Sequence, residues 1–89
     1  MNINEHEYKC RVCGFEHETP TWEYGDSPSY DICHCCGVEF GYSDFTVLAV
    51  KNFRKKWIEN GAKWSGNISF KPNNWNVESQ MKNIDEIFL

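Results

Sequence analysis

The sequence predicts a small α+β domain. A pair of cysteine knuckles joined by short antiparallel strands comes first, followed by one longer and one shorter C-terminal helix. Three observations predict this. The pattern CxxCG occurs twice, as CRVCG at 10–14 and within CHCCG at 33–37. Val50, Phe53, Trp57 and Ile58 then repeat at three and four residues, the spacing of a helix face. Beyond Asn76, the residues Val77, Met81 and Ile84 form a second, shorter stripe. The 89 residues make one domain over 1–89. A four-cysteine ribbon at 8–42 carries an aromatic-rich helical segment at 43–89 packed on it. A chain of this size draws only marginal stability from its hydrophobic core.

With 40% hydrophobic and 16% aromatic residues the chain is a folding sequence, not a disordered tail. No apolar run approaches the roughly 20 residues of a membrane span. The N-terminal MNINEHEYKC has no secretory apolar stretch, so a cytoplasmic protein is expected. Five cysteines crowd into residues 10–36. In a reducing compartment, paired CxxC spacings read as metal ligands, not as disulfides.

Each knuckle lets one tight turn present two sulfurs to a single ion. The glycine after its second cysteine tolerates positive φ, which lets backbone N–H groups turn toward the sulfurs. Nineteen residues lie between Cys13 and Cys33, inside the about 15–20 of paired-CxxC zinc sites. The predicted metal ligands are therefore Cys10, Cys13, Cys33 and Cys36. Cys35 is set aside by register, because pairing it with Cys33 would break the repeat. It is read as a small packed side chain, the alternative being a reactive thiol. His34, and His6 and His17 near the first cluster, are substitute ligands in principle. Four thiolates already close a structural zinc site, so all three are read as solvated histidines.

Soft thiolates in a tetrahedron suit Zn2+ or Fe. The start YKCRVCGFEHE resembles a rubredoxin, which binds one iron through two CxxCG knuckles and carries electrons. The spacer here is shorter, however, and a long segment follows the second knuckle, so zinc is the expected ion and iron the alternative.

The elements follow in order. Tyr8 and Phe15 alternate with polar residues as in a strand pair around the first knuckle. A loop is predicted over Gly25-Asp26-Ser27-Pro28. Tyr30–Cys33 and Val38–Tyr42 are expected as strands entering and leaving the second knuckle. Ser43 is the predicted cap of the main helix, with Asp44 at its positive end; the β-branched run FTVLAV leaves its start uncertain by several residues. Lys51, Arg54, Lys55 and Lys56 fall on the other faces, and the run RKK at 54–56 reads as a solvated surface. Gly61 after Asn60 fits a C-terminal cap. Trp64, Phe70 and Trp75 are expected to wrap onto the ribbon as core, the alternative being an exposed aromatic patch that binds a partner. A second helix should start near Asn76.

With these elements placed, YKCRVCGFEHETP, EYGDSPSYDICHCCGVEFGYSDF, FRKKWIENGAKW and PNNWNVESQMKNI, over about residues 8 to 84, together resemble the bacterial cysteine-rich CPCC family. These small proteins share a CPxCG-like first knuckle, a "sYdIC" approach to the second, and a trailing W…G..W segment. Arg11 and His34 stand where the family has prolines. A proline there stiffens the knuckle without supplying a ligand. The resemblance implies a metal site and a ribbon architecture, and it carries over no catalytic residue.

No GxxxxGK, no GxSxG and no histidine base beside Glu39 or Asp44 points to catalysis, and four cysteines leave a zinc no open position. The formal charge of −4 opposes phosphate-backbone binding, which draws on Lys and Arg. The expectation is a non-enzymatic zinc protein acting as a protein-interaction module, with a protein partner and neither nucleic acid nor membrane. A rubredoxin-like iron electron carrier and a thiol redox sensor are the alternatives.

Overall fold

The structure is a computed structural model that describes residues 7–23 and 27–89. His6, the N-terminal segment and the residues Gly25 and Asp26 of the expected loop lie outside the described residues. The two knuckles fold as a structural repeat. In each, the first cysteine's N–H donates to the carbonyl five residues on (Cys10 to Phe15, Cys33 to Val38), and the glycine's N–H donates back to that cysteine (Gly14 to Cys10, Gly37 to Cys33). Gly14 and Gly37 have φ of +79° and +84°. One antiparallel bridge flanks each turn, Lys9 with Glu16 and Ile32 with Glu39.

The expected strands do not form among the described residues. Pairing stops at isolated bridges, including Glu7 with Trp22 and Trp22 with Pro28. The physical reason is that each CxxCG turn consumes the residues nearest the hairpin, and the chain then diverges.

Helix α1 spans Val47–Glu59 and is capped by Thr46, whose hydroxyl accepts from the Ala49 N–H. The cap therefore falls at Thr46, not at the predicted Ser43. Asp44 is drawn inward instead. Its carboxylate accepts from Trp22 Nε1 at 3.0 Å and from the Gly41 N–H at 2.6 Å. A buried tertiary partner outcompetes the local helix signal. Val50 and Trp57 are buried in the core and Phe53 is half-buried against it, whereas Ile58 is exposed. At the far end Gly61 N–H donates to Ile58 and Ala62 N–H to Trp57, the paired bonds of a Schellman cap.

After α1 the chain makes a 3-10 turn at Ile68–Phe70, a one-turn helix α2 at Val77–Met81 capped by Asn76 as expected, and a final 3-10 turn at Glu86–Phe88. Ile84 is buried but lies past the end of α2. Gly14 must be glycine here, because a Cβ would sit 2.7 Å from the backbone of Asn83 and Ile84. The aromatics divide between the two readings. Trp22, Phe40, Trp57 and Phe88 are buried, and Phe15, Trp64 and Trp75 are half-buried. Tyr42, Phe45 and Phe70 stay exposed.

Candidate metal centre

The two knuckles face one another across the core. The sulfurs of Cys10, Cys13, Cys33 and Cys36 all lie within 4.8 Å of one another, and all four side chains are buried. Cys10 and Cys36 are 3.7 Å apart, as are Cys13 and Cys33. A disulfide would require about 2.0 Å. A tetrahedral ion with metal–sulfur bonds of about 2.3 Å sets its ligands about 3.8 Å apart. The four cysteines are thus positioned to hold one metal ion, and the all-sulfur donor set suits a soft or borderline one.

Burial pushes the thiols of Cys10, Cys13 and Cys36 well above the ordinary cysteine range. Hydrogen bonds from Cys10, Cys13 and Cys36 hold Cys33 well below it, against the cost of burial. A pocket without a cation stabilises one thiolate among three thiols. A divalent ion would supply the charge that lets the others ionise.

Cys35 is fully buried and outside the cluster. The repeat gives it the position of Val12, also fully buried, so it occupies a core slot of the knuckle. His34 and His17 are not among the clustered groups. Neither is solvated as expected; both are half-buried in a ring stack that ends on Phe70.

The outward carbonyls of both knuckles are capped by the C-terminal segment. Arg54 donates from Nε to Val12 O at 2.7 Å and from Nη2 to Arg11 O at 3.1 Å and Phe88 O at 2.7 Å. Gln80 Nε2 donates to Cys13 O, while the N–H groups of Ser65 and Gly66 donate to Cys35 O and His34 O. Arg54 is therefore no solvated residue of the RKK run. Burial lowers its pKa, and the charges of Cys10, Cys13 and Cys36 oppose that shift.

Arg11 is likewise more than a replacement for proline. Its buried guanidinium lies 3.8 Å from the Trp22 ring centroid and 4.9 Å from that of Phe88, and it forms a two-pronged pair with Glu7. Nη1 donates to Asp44 O. Sequence reasoning missed Arg11, Arg54 and Gln80 as supports. The only local trace was Glu7 one helical turn's distance from Arg11, which alone reads as a surface pair.

Fold and site together define a small domain of two cysteine knuckles around a candidate metal centre. The chain is similar to two Bacillus subtilis (strain 168) proteins. It is 34% identical over 70 residues to the uncharacterized protein YoaQ, covering 61% of this chain and 59% of that protein. It is 36% identical over 73 residues to the uncharacterized protein YozI, covering 63% and 60%. The chain spans about three fifths of the length of these curated relatives. No family model matches, so the likeness to the CPCC family rests on its motifs. No solved structure matches either.

Proposed function

We propose that this chain is a non-catalytic, cytoplasmic zinc-binding protein whose four-cysteine site is structural and whose surface binds another protein. The observation that carries the reading is the burial of four mutually adjacent sulfurs. Four thiolates complete a tetrahedron, so a zinc held there keeps no position for substrate or water. Support for a structural role comes from the membership of all four cysteines in the buried core cluster, where an ion would hold the two knuckles together.

Support for a binding role comes from the surface beside α1. Tyr42, Phe45 and Leu48 are 79%, 53% and 69% exposed. Tyr42 also lines a shallow groove of about 320 Å³ with Ser43, Ala49, Asn52, Phe53 and Lys56. Apolar side chains left in water this way are characteristic of protein-binding surfaces. No described helix is long and apolar enough to cross a membrane.

Affinity capture with metal-loaded wild type, run beside Tyr42→Asp and Leu48→Asp, tests the binding role. The expected result is one recurrent protein, recovered by wild type and lost with both variants. Equal recovery by all three, or none by wild type, would sink it. An iron electron carrier is the second reading, favoured by a donor set that accommodates iron equally well. A red oxidised protein in place of a colourless one would move it to the front. In the redox-sensor reading either Cys35 reacts or the knuckles oxidise and release their metal, and the complete burial of Cys35 counts against the first route.

A further inference from the structure

Helix α1 turns a basic face outward in a chain whose formal charge is −4. Lys51, Lys55 and Lys56 are exposed, and none of them takes part in an ion pair among the described residues. Arg54 is turned inward, its guanidinium occupied by the carbonyls of Val12, Arg11 and Phe88. The one acid of the helix, Glu59, lies a turn beyond Lys55 on the same face and is not paired with it. Asp44, the nearest acid before the helix, is buried with both carboxylate oxygens engaged by Trp22 and Gly41. The lysines therefore carry charge that the chain itself does not pair.

Apolar surface runs along the same side. Leu48, Lys51, Asn52 and Lys55 follow at the three- and four-residue steps of one helix face. Asn52 also lines the groove with Ala49, Phe53, Lys56 and Tyr42, and no acid lines that groove. The aromatic rim is fixed from within. Tyr42 N–H donates to Glu39 O at 3.0 Å, and the Phe45 ring meets the buried Trp22 edge-on at 4.9 Å. Apolar side chains flanked by unpaired lysines are complementary to a segment whose apolar side chains are flanked by carboxylates.

We propose that this face of α1 docks an acidic amphipathic helix of a partner protein. The partner's apolar stripe lies on Leu48 and in the groove between Tyr42 and Phe53, while its carboxylates meet Lys51, Lys55 and Lys56. The proposal rests on the protein-binding reading and names the partner's chemistry. A nucleic acid fits less well, because its backbone brings negative charge along its whole length to a net acidic chain.

The probe is a synthetic helical peptide with leucine at i, i+3 and i+7 and glutamate on either side, titrated into 15N-labelled, metal-loaded protein. A control peptide carries lysine in place of every glutamate. The glutamate peptide is expected to shift the amide signals of Tyr42, Leu48, Asn52 and Lys55 and to dissociate as salt is raised, and the lysine peptide to do neither. The double variant Lys51→Glu/Lys55→Glu is expected to bind the glutamate peptide about 10-fold more weakly or worse, and to gain affinity for the lysine peptide. Both lysines are exposed and form no ion pair among the described residues, so the variant should keep its fold. The shift map is read on wild type and stands without it. No shifts on this face, equal binding of the two peptides, tighter binding of a single-stranded oligonucleotide, or a second copy of the chain covering the face in sedimentation each overturns the proposal. A captured protein that is lost with Tyr42→Asp and Leu48→Asp but indifferent to the lysine reversal and to salt overturns it and leaves the protein-binding reading in place. Wild type that binds no probe and captures no protein overturns both.

Discussion

Cys35 occupies in the second knuckle the place that Val12 occupies in the first, and both side chains are fully buried. That equivalence explains why a fifth cysteine sits inside CHCCG without joining the sulfur cluster. It makes Cys35 a small apolar filler, the role in which buried cysteines most resemble aliphatic residues.

Replacing Cys35 by the residue its counterpart carries should therefore be tolerated. Cys35→Val is expected to bind metal as wild type does and to cost less than about 1.5 kcal/mol. Cys36→Ala removes a ligand from a site whose ion contributes about 10–16 kcal/mol to folding, so that variant should lose metal and unfold. Circular dichroism with elemental analysis of both variants checks this, and the reverse pattern would mean the register is wrong.

Arg54 reaches three carbonyls with one guanidinium, which ties α1 to the first knuckle and to the last turn. Arg54→Met should lower the stability of the loaded protein by about 2–3 kcal/mol in denaturant unfolding. Arg54→Lys should recover little of this, because an ammonium cannot span the same carbonyls with a fixed fork.

Asp44 anchors the corner between ribbon and helix through Trp22 Nε1 and the Gly41 N–H. Asp44→Ala leaves both donors buried and unpaired, at a cost of about 3 kcal/mol. Asp44→Asn should be only partly better, since its amide presents a donor where one acceptor oxygen stood. A shifted Trp22 fluorescence maximum in the folded variant would report the lost indole bond.

Metal uptake should release protons, and the count follows from the thiols. Cys10, Cys13 and Cys36 are raised and enter as thiols near neutral pH, while Cys33 is lowered and enters ionised. Each divalent ion should displace about three protons. Because protons compete with the ion for the raised thiols, affinity rises with pH and falls on acidification. Titration calorimetry in buffers of different ionisation enthalpy counts the protons. A release near zero would contradict the coordination scheme.

The gathering of Cys10, Cys13, Cys33 and Cys36 was legible because a repeated CxxCG is a local signal whose geometry the chain carries with it. Most of α1 was legible for the same reason, since Val50, Phe53 and Trp57 recur at helical spacing and end at Gly61. The strands were not. Alternation around Tyr8 and Phe15 marks a hairpin, but each turn is closed after a single bridge. The helix start was hidden because Asp44 serves Trp22, a partner more than twenty residues away in sequence. Arg11 was read only as standing in a proline's place, and Arg54 as solvated, for the same reason. Their partners are rings and carbonyls that only the folded chain assembles.

The most direct test of the central claim is native mass spectrometry of gently purified protein, with elemental analysis of the same sample. The account predicts one zinc per chain bound to four deprotonated cysteines, with Cys35 still a thiol. A folded chain that carries no metal and pairs these cysteines as disulfides would contradict it.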